Sequence, residues 1–157
     1  MLDDISLHIL QILQRKARIP NVEVARQVGM APSAVLERIR KLEKQGIIDG
    51  YEVKLNPERF RKSLIAYAII KIRDCRDQDE AGNSLSEIED IQEVHYISGE
   101  DSFLIKIRAM DTVNLSEILN TKILAIESIK SSKTLISLKS YKETSRFPLD
   151  ISLITTR

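Results

Sequence analysis

A chain of 157 residues, 43% apolar and 30% charged, can bury one large core or two small ones. It contains no run near the roughly 18 apolar residues of a membrane span and no N-terminal signal pattern, and its single cysteine, Cys75, excludes an intrachain disulfide and a Cys-based zinc site. The expectation is a cytoplasmic protein with no membrane partner, no metal and no cofactor. The net charge of +1 hides an asymmetry: residues 1–62 hold 12 Lys and Arg against 8 Asp and Glu, and residues 63–157 hold 12 against 15. A basic N-terminal module joined to a mildly acidic one fits a division of labour in which only the first faces phosphates.

The first element is a helix from Leu2 to Arg15, opened by Asp3 and Asp4 and carrying Ile5, Ile9, Leu10 and Leu13 at helical spacing. Arg15, Lys16 and Arg18 form a small basic cluster before Ile19-Pro20. Next comes NVEVARQVGMAPSAVLERIRKLEKQGIIDG, Asn21 to Gly50. Asn21 is the expected N-cap of a short helix with Val24, Ala25 and Val28 inside, and Gly29 ends it where a positive φ is needed. Pro32 suits the first turn of a second helix, with Val35, Ile39 and Leu42 on its buried face. Its other faces carry Ser33, Ala34, Glu37, Arg38, Arg40, Lys41 and Lys44. Two short helices joined by a tight turn form a helix-turn-helix, whose second helix enters the major groove. On this reading Ser33, Ala34, Glu37 and Arg38 meet base edges, with Arg38 suited to guanine and Glu37 to cytosine. Arg40, Lys41 and Lys44 are better placed for phosphates.

Gly46 stops the second helix, and Ile47 and Ile48 are expected to close the core beneath all three helices. Tyr51 to Leu55 alternates with period two, as a half-exposed strand does, before Asn56-Pro57 breaks it. The pattern then changes. LIAYAIIKI, 64–72, predicts a buried strand. A helix over 77–90 with Ala81, Leu85 and Ile88 follows, weakened by Gly82, Asn83 and Ser84. Strands at 94–98 and 103–107 flank a turn at 99–101. A helix capped by Asp111 or Thr112 and a long strand over 128–141 complete the order strand, helix, strand, strand, helix, strand. The fold class is therefore α+β, a helix-turn-helix domain over 1–50, a connector over 51–62 and a ferredoxin-like βαββαβ domain over 63–157. Tyr67, Ile69, Ile105, Ile107 and Leu138 are expected on the sheet face that the helices leave bare. Covering them calls for a second copy, and a homodimer would present two reading helices to pseudo-palindromic double-stranded DNA.

At this point the chain resembles the Lrp/AsnC (feast/famine) family of transcription regulators over essentially its whole length. The resemblance rests on Asn21 to Pro57, the initial Leu2-Asp3 with Ile5, the hairpin segment HYISGEDSFLIKIRA and a final Thr-Arg. It implies DNA binding through the helix-turn-helix, with Asn21 and Pro32 among the contacting positions. It also implies a C-terminal domain that dimerises, assembles into an octamer or related ring, and binds a small effector, commonly an amino acid, between subunits. The effector residues it implies are Gly99, Glu100, Asp101 and Ser102 in the hairpin and the hydroxyl residues Ser132 and Thr134 on the last strand. Two positions depart from the family pattern. Ala31 stands where Ser or Thr usually precedes the helix-starting proline, and Ser102 stands where the hairpin acid is usual. The plain alternative for Gly99 to Ser102 is a polar hairpin turn.

Other functions fare worse. His95 and Ser98 are three positions apart on a strand and face opposite ways, so they cannot meet Asp101 in a catalytic group, and no phosphate loop, metal spacing or nucleophile elbow is present. An enzyme is not expected. An architectural protein that wraps or bends DNA without an effector stays open. A ligand-binding assembly without DNA binding is disfavoured by the basic exposed face of the second helix.

Overall fold

The computed structural model describes residues 2–149, which fall into two compact units: residues up to Lys54 together with the segment from Glu143, and Leu55–Lys142.

The first unit holds three helices, α1 (Asp4–Arg15), α2 (Asn21–Val28) and α3 (Pro32–Lys44). Their apolar stripes meet in one core of Ile9, Ile12, Leu13, Val24, Ala25, Val35 and Ile39. Asp3 caps α1, its carboxylate accepting from the Ser6 amide at 2.9 Å. Gly29 ends α2 with φ +69°, and the Met30 amide then bonds back to the Ala25 carbonyl at 3.0 Å, which turns the chain sharply into α3. Asn21 is not the cap expected of it. Pro20 takes that place and Asn21 is the first helical residue, so its side chain makes no capping bond. Ile48 packs on the core, whereas Ile47 is exposed and does not close it.

In the second unit, β1 (Leu64–Ile72), α4 (Gln78–Ser86), β2 (Ile91–Ile97), β3 (Ser102–Ala109), α5 (Thr112–Glu117) and β4 (Ile129–Ile136) occur in βαββαβ order. The sheet is antiparallel, ordered β2-β3-β1-β4. Asp111 caps α5 through the Asn114 amide, and a π-helical turn at Ile118–Ile123 continues it. Beneath the helices lies a second core of Ala66, Ala68, Ile70, Phe103, Ile105 and Ile107 with Ala81, Leu85, Leu115, Ile118 and Ile123. Gly82 is explained by close approach. A Cβ there would stand 3.2 Å from the Phe103 ring, so glycine lets α4 lie down on the sheet.

Four expectations are corrected. Tyr51 to Leu55 forms no strand in the single chain; it has no neighbouring strand among the described residues, and Tyr51, Val53 and Leu55 are all exposed. The last strand ends at Ile136, and Leu138 beyond it is 98% exposed. Ile105 and Ile107 lie on the helix-covered face, opposite Ala68 and Ala66, so the bare face carries Tyr67, Ile69, Leu104 and Leu135 instead. The tail from Glu143, placed with the sheet by a boundary at 63–157, belongs with the helices. There the Gln14 side-chain amide donates to the Phe147 carbonyl at 3.3 Å and accepts from its N–H at 3.2 Å. The final Thr-Arg lies outside the described residues.

Candidate nucleic-acid and effector sites

Helix α3 begins at Pro32, where a missing N–H costs nothing and φ is already set for a helix. Its preceding residue, Ala31, has the extended backbone of an N-cap but no side-chain oxygen to offer, so no side chain caps the first-turn amides. Burial of Val35, Ile39 and Leu42 fixes which face turns outward. At about 100° per residue, Ser33, Glu37, Arg40, Lys41 and Lys44 fall on the side opposite that stripe, and all five are exposed. Their charges are not consumed: among the described residues Glu37, Arg40, Lys41 and Lys44 enter no ion pair. Ala34 is half-buried beside them.

Arg38 behaves differently from its sequence reading as an exposed base reader. It is half-buried, and its Nη1 donates to Asp3 Oδ1 and Oδ2 at 2.8 and 2.6 Å and to Ser6 Oγ at 3.0 Å. Asp3 responds: the Ser6 hydrogen bonds and the Arg38 guanidinium hold its carboxyl far below the usual range. Neither Asp3 nor Ser6 was singled out from the sequence as a partner of α3. The signal was present, since Arg38 falls nearer the buried stripe of α3 than the other basic positions do.

The candidate effector residues occupy two places in the sheet. Gly99 to Asp101 form the β2–β3 turn, with φ +119° at Gly99 and φ +33° at Asp101, and Ser102 opens β3 fully buried. The polar groups of this turn are already engaged. Glu100 pairs with Lys71, Ser102 Oγ donates to the Glu100 carbonyl, and the Tyr96 hydroxyl donates to Asp101 Oδ1 at 3.1 Å. Burial and the Asp101 carboxylate push the Tyr96 hydroxyl above its ordinary pKa, while Lys71 lowers that of Glu100. Tyr96 in turn packs edge-on against Phe103, ring centroids 5.2 Å apart. Tyr96 and Lys71 are therefore neighbours of the turn that sequence reasoning missed: β1–β3 register brings Lys71 there, whereas Tyr96, five positions before Asp101, was within local reach.

Ser132 and Thr134 lie half-buried on β4, opposite Ile70 and Ala68. Ile70 is itself opposite Phe103, so Ser132 shares a cross-sheet row with the start of β3 but stands two strands away, roughly 10 Å at the usual strand spacing. Within one chain the hairpin turn and these hydroxyl groups share one end of the sheet for Ser132, and do not meet.

Comparison with known proteins matches both halves. A winged helix-turn-helix DNA-binding family matches residues 2–49, and the Lrp/AsnC ligand binding domain matches residues 66–147. The leucine-responsive regulatory protein of Haemophilus influenzae is 35% identical over 145 residues, spanning 91% of this chain and 87% of the relative. That of Escherichia coli K12 is 35% identical over 147 residues, spanning 92% and 90%. Among solved structures, a transcriptional regulator of Neisseria meningitidis in complex with L-methionine is 28% identical with a TM-score of 0.91, over 98% of this chain and 100% of that one. Escherichia coli AsnC is 27% identical with a TM-score of 0.85, over 94% and 99%. A feast or famine regulatory protein of Mycobacterium tuberculosis, also complexed with L-methionine, matches at 27% and 0.85, over 94% and 99%. Helix-turn-helix and ligand-binding unit are thus both matched in a single chain, which belongs to the Lrp/AsnC family of DNA-binding transcription regulators.

Proposed function

We propose that this regulator works in the cytoplasm as a homodimer that reads pseudo-palindromic DNA, and that a small effector such as an amino acid, held between subunits, changes the reading. The observation that carries the proposal is the outward stripe of α3, polar and basic and free of ion pairs among the described residues. Ser33, Ala34 and Glu37 in its first turns face base edges, where Glu37 can accept from cytosine. Arg40, Lys41 and Lys44 bind phosphates. Pro32 and Asn21 open α3 and α2, whose first-turn amides lack side-chain caps and can donate to the DNA backbone.

Support for an amino acid comes from the family and from the two relatives complexed with L-methionine. Gly99, Glu100, Asp101 and Ser102 hold carboxylates and a carbonyl that suit an α-ammonium group, which would share or displace their present partners Lys71, Tyr96 and the Ser102 hydroxyl, and Ser132 and Thr134 supply hydroxyl groups for a carboxylate. Because β1 separates these two sets within a chain, a second copy is needed to bring complementary edges together. That copy would cover Tyr67, Ile69, Leu104 and Leu135, and further assembly gives an octamer or related ring.

The test is a titration of the protein on DNA from upstream of its own gene and on random DNA of equal length, repeated at several salt concentrations and with each of the twenty amino acids. One amino acid should change affinity or particle size. No response to any of the twenty would point to an architectural protein without an effector. Lys41→Ala should weaken binding to both duplexes alike and flatten the salt dependence by about one unit.

A further inference from the structure

We propose that Arg38 is a positioning residue, which fixes the recognition helix α3 to the start of α1 through Asp3 and Ser6, and that it does not read a base. The inference deepens the DNA-binding reading above and rests on it. Of the basic side chains on α3, Arg38 alone is committed among the described residues of the helical unit: one guanidinium nitrogen spans both oxygens of Asp3 and the Ser6 hydroxyl within 3.0 Å. Those partners are themselves held. Asp3 is anchored by capping α1 through the Ser6 amide at 2.9 Å, and Ser6 is buried.

The carboxylate sits at the N-terminus of α1, where the helix dipole favours negative charge, so it offers the guanidinium a fixed and fully ionised acceptor. A guanidinium that left it for a guanine would break that pair and leave the half-exposed acid to water and the Ser6 amide. Sitting on the flank between the buried stripe and the exposed one, the pair pins the rotation about the axis that burial of Val35, Ile39 and Leu42 selects. That rotation decides which side chains reach the groove. Losing the pair should therefore degrade readout at every base position together, whereas losing a base reader degrades one.

The experiment uses the full chain. Wild-type protein selects a consensus from a pool of randomised duplexes. Affinities for that consensus and for its scrambled version are then measured for wild type, Asp3→Ala, Arg38→Ala and the double variant, at a temperature where circular dichroism shows each folded. Asp3→Ala and Arg38→Ala should each lower the ratio of consensus to scrambled affinity by a similar factor, roughly tenfold. The double variant should lose no more than either, and Arg38→Ala should select the wild-type consensus letters.

A letter changed at one base position by Arg38→Ala but not by Asp3→Ala would overturn the proposal, as would losses that multiply in the double variant. A ratio unchanged in folded variants would show a purely structural pair and would overturn it too. If wild type selects no consensus, the sequence-specific reading fails, and amide exchange across α3 decides the positioning claim separately. Equal loss of protection in the two single variants supports it, and unchanged protection refutes it.

Discussion

Asp101 occupies a left-handed backbone, φ +33°, at the tip of the β2–β3 hairpin, a conformation that Asp tolerates and a β-branched residue does not. Asp101→Val should cost about 1–2 kcal/mol in urea denaturation, Asp101→Asn close to nothing. Asp101→Gly removes the Tyr96 acceptor but also relieves the left-handed strain, so the two effects should partly offset. Ala31 is the other informative residue. Its backbone is already extended as an N-cap requires, yet no side chain satisfies the first-turn amides of α3. Ala31→Ser should raise stability by about 1 kcal/mol, read as a higher melting temperature. This departure was visible in the sequence because capping is local. The partner of Arg38 was not, since it lies 35 positions away on another helix.

At the scale of elements, the junction into β2 is held by Asp90, whose carboxylate, 13% exposed, accepts from Lys62 at 2.5 Å and Lys122 at 2.8 Å. Burial by itself would raise the Asp90 pKa, but the two lysines outweigh it and hold it below its ordinary value. A depressed carboxylate contributes stability that is fully present above its unfolded pKa of about 3.9 and disappears as pH falls through the lower folded value. Asp90→Asn should therefore cost about 1–2 kcal/mol at neutral pH, discounted for the half-exposed lysines. The difference from wild type should vanish in melts run progressively below pH 4. Periodicity located β1 well and α4 only as far as Ser86, short of the expected end at 90, and could not assign faces in β3. Whether Ile105 points in or out depends on its pairing with Ala68, and that register is set by another strand. Tyr51 to Leu55 shows the same limit, because an alternating pattern makes a strand only where a neighbour accepts its hydrogen bonds.

For the whole molecule, Tyr67, Ile69, Leu104 and Leu135 leave the uncovered sheet face apolar, and its buried Lys106 is neutralised by Glu93 at 3.1 Å. A largely apolar face of this kind, on which Lys133 beside Ile69 has no ion pair among the described residues, is suited to a second copy. Wild type should elute with the mass of a dimer or a multiple of it in light scattering, and Tyr67→Glu with Leu135→Glu should yield a folded monomer. DNA affinity should then fall at least about tenfold, since two half-sites are no longer bound together. A double variant that keeps the wild-type mass would place the interface elsewhere.

Features that depend on neighbours a few positions apart are legible in the residues alone: three helices with a glycine turn, the βαββαβ order, the stop at Gly46 and the missing cap at Ala31. Features that depend on residues far apart emerge with packing. It committed Arg38 to Asp3, held Phe147 to Gln14 across 133 positions, and turned Ile105 and Ile107 inward. The physical reason is that spacing fixes a side chain's direction on its own element, while its partner is fixed by packing and register between elements.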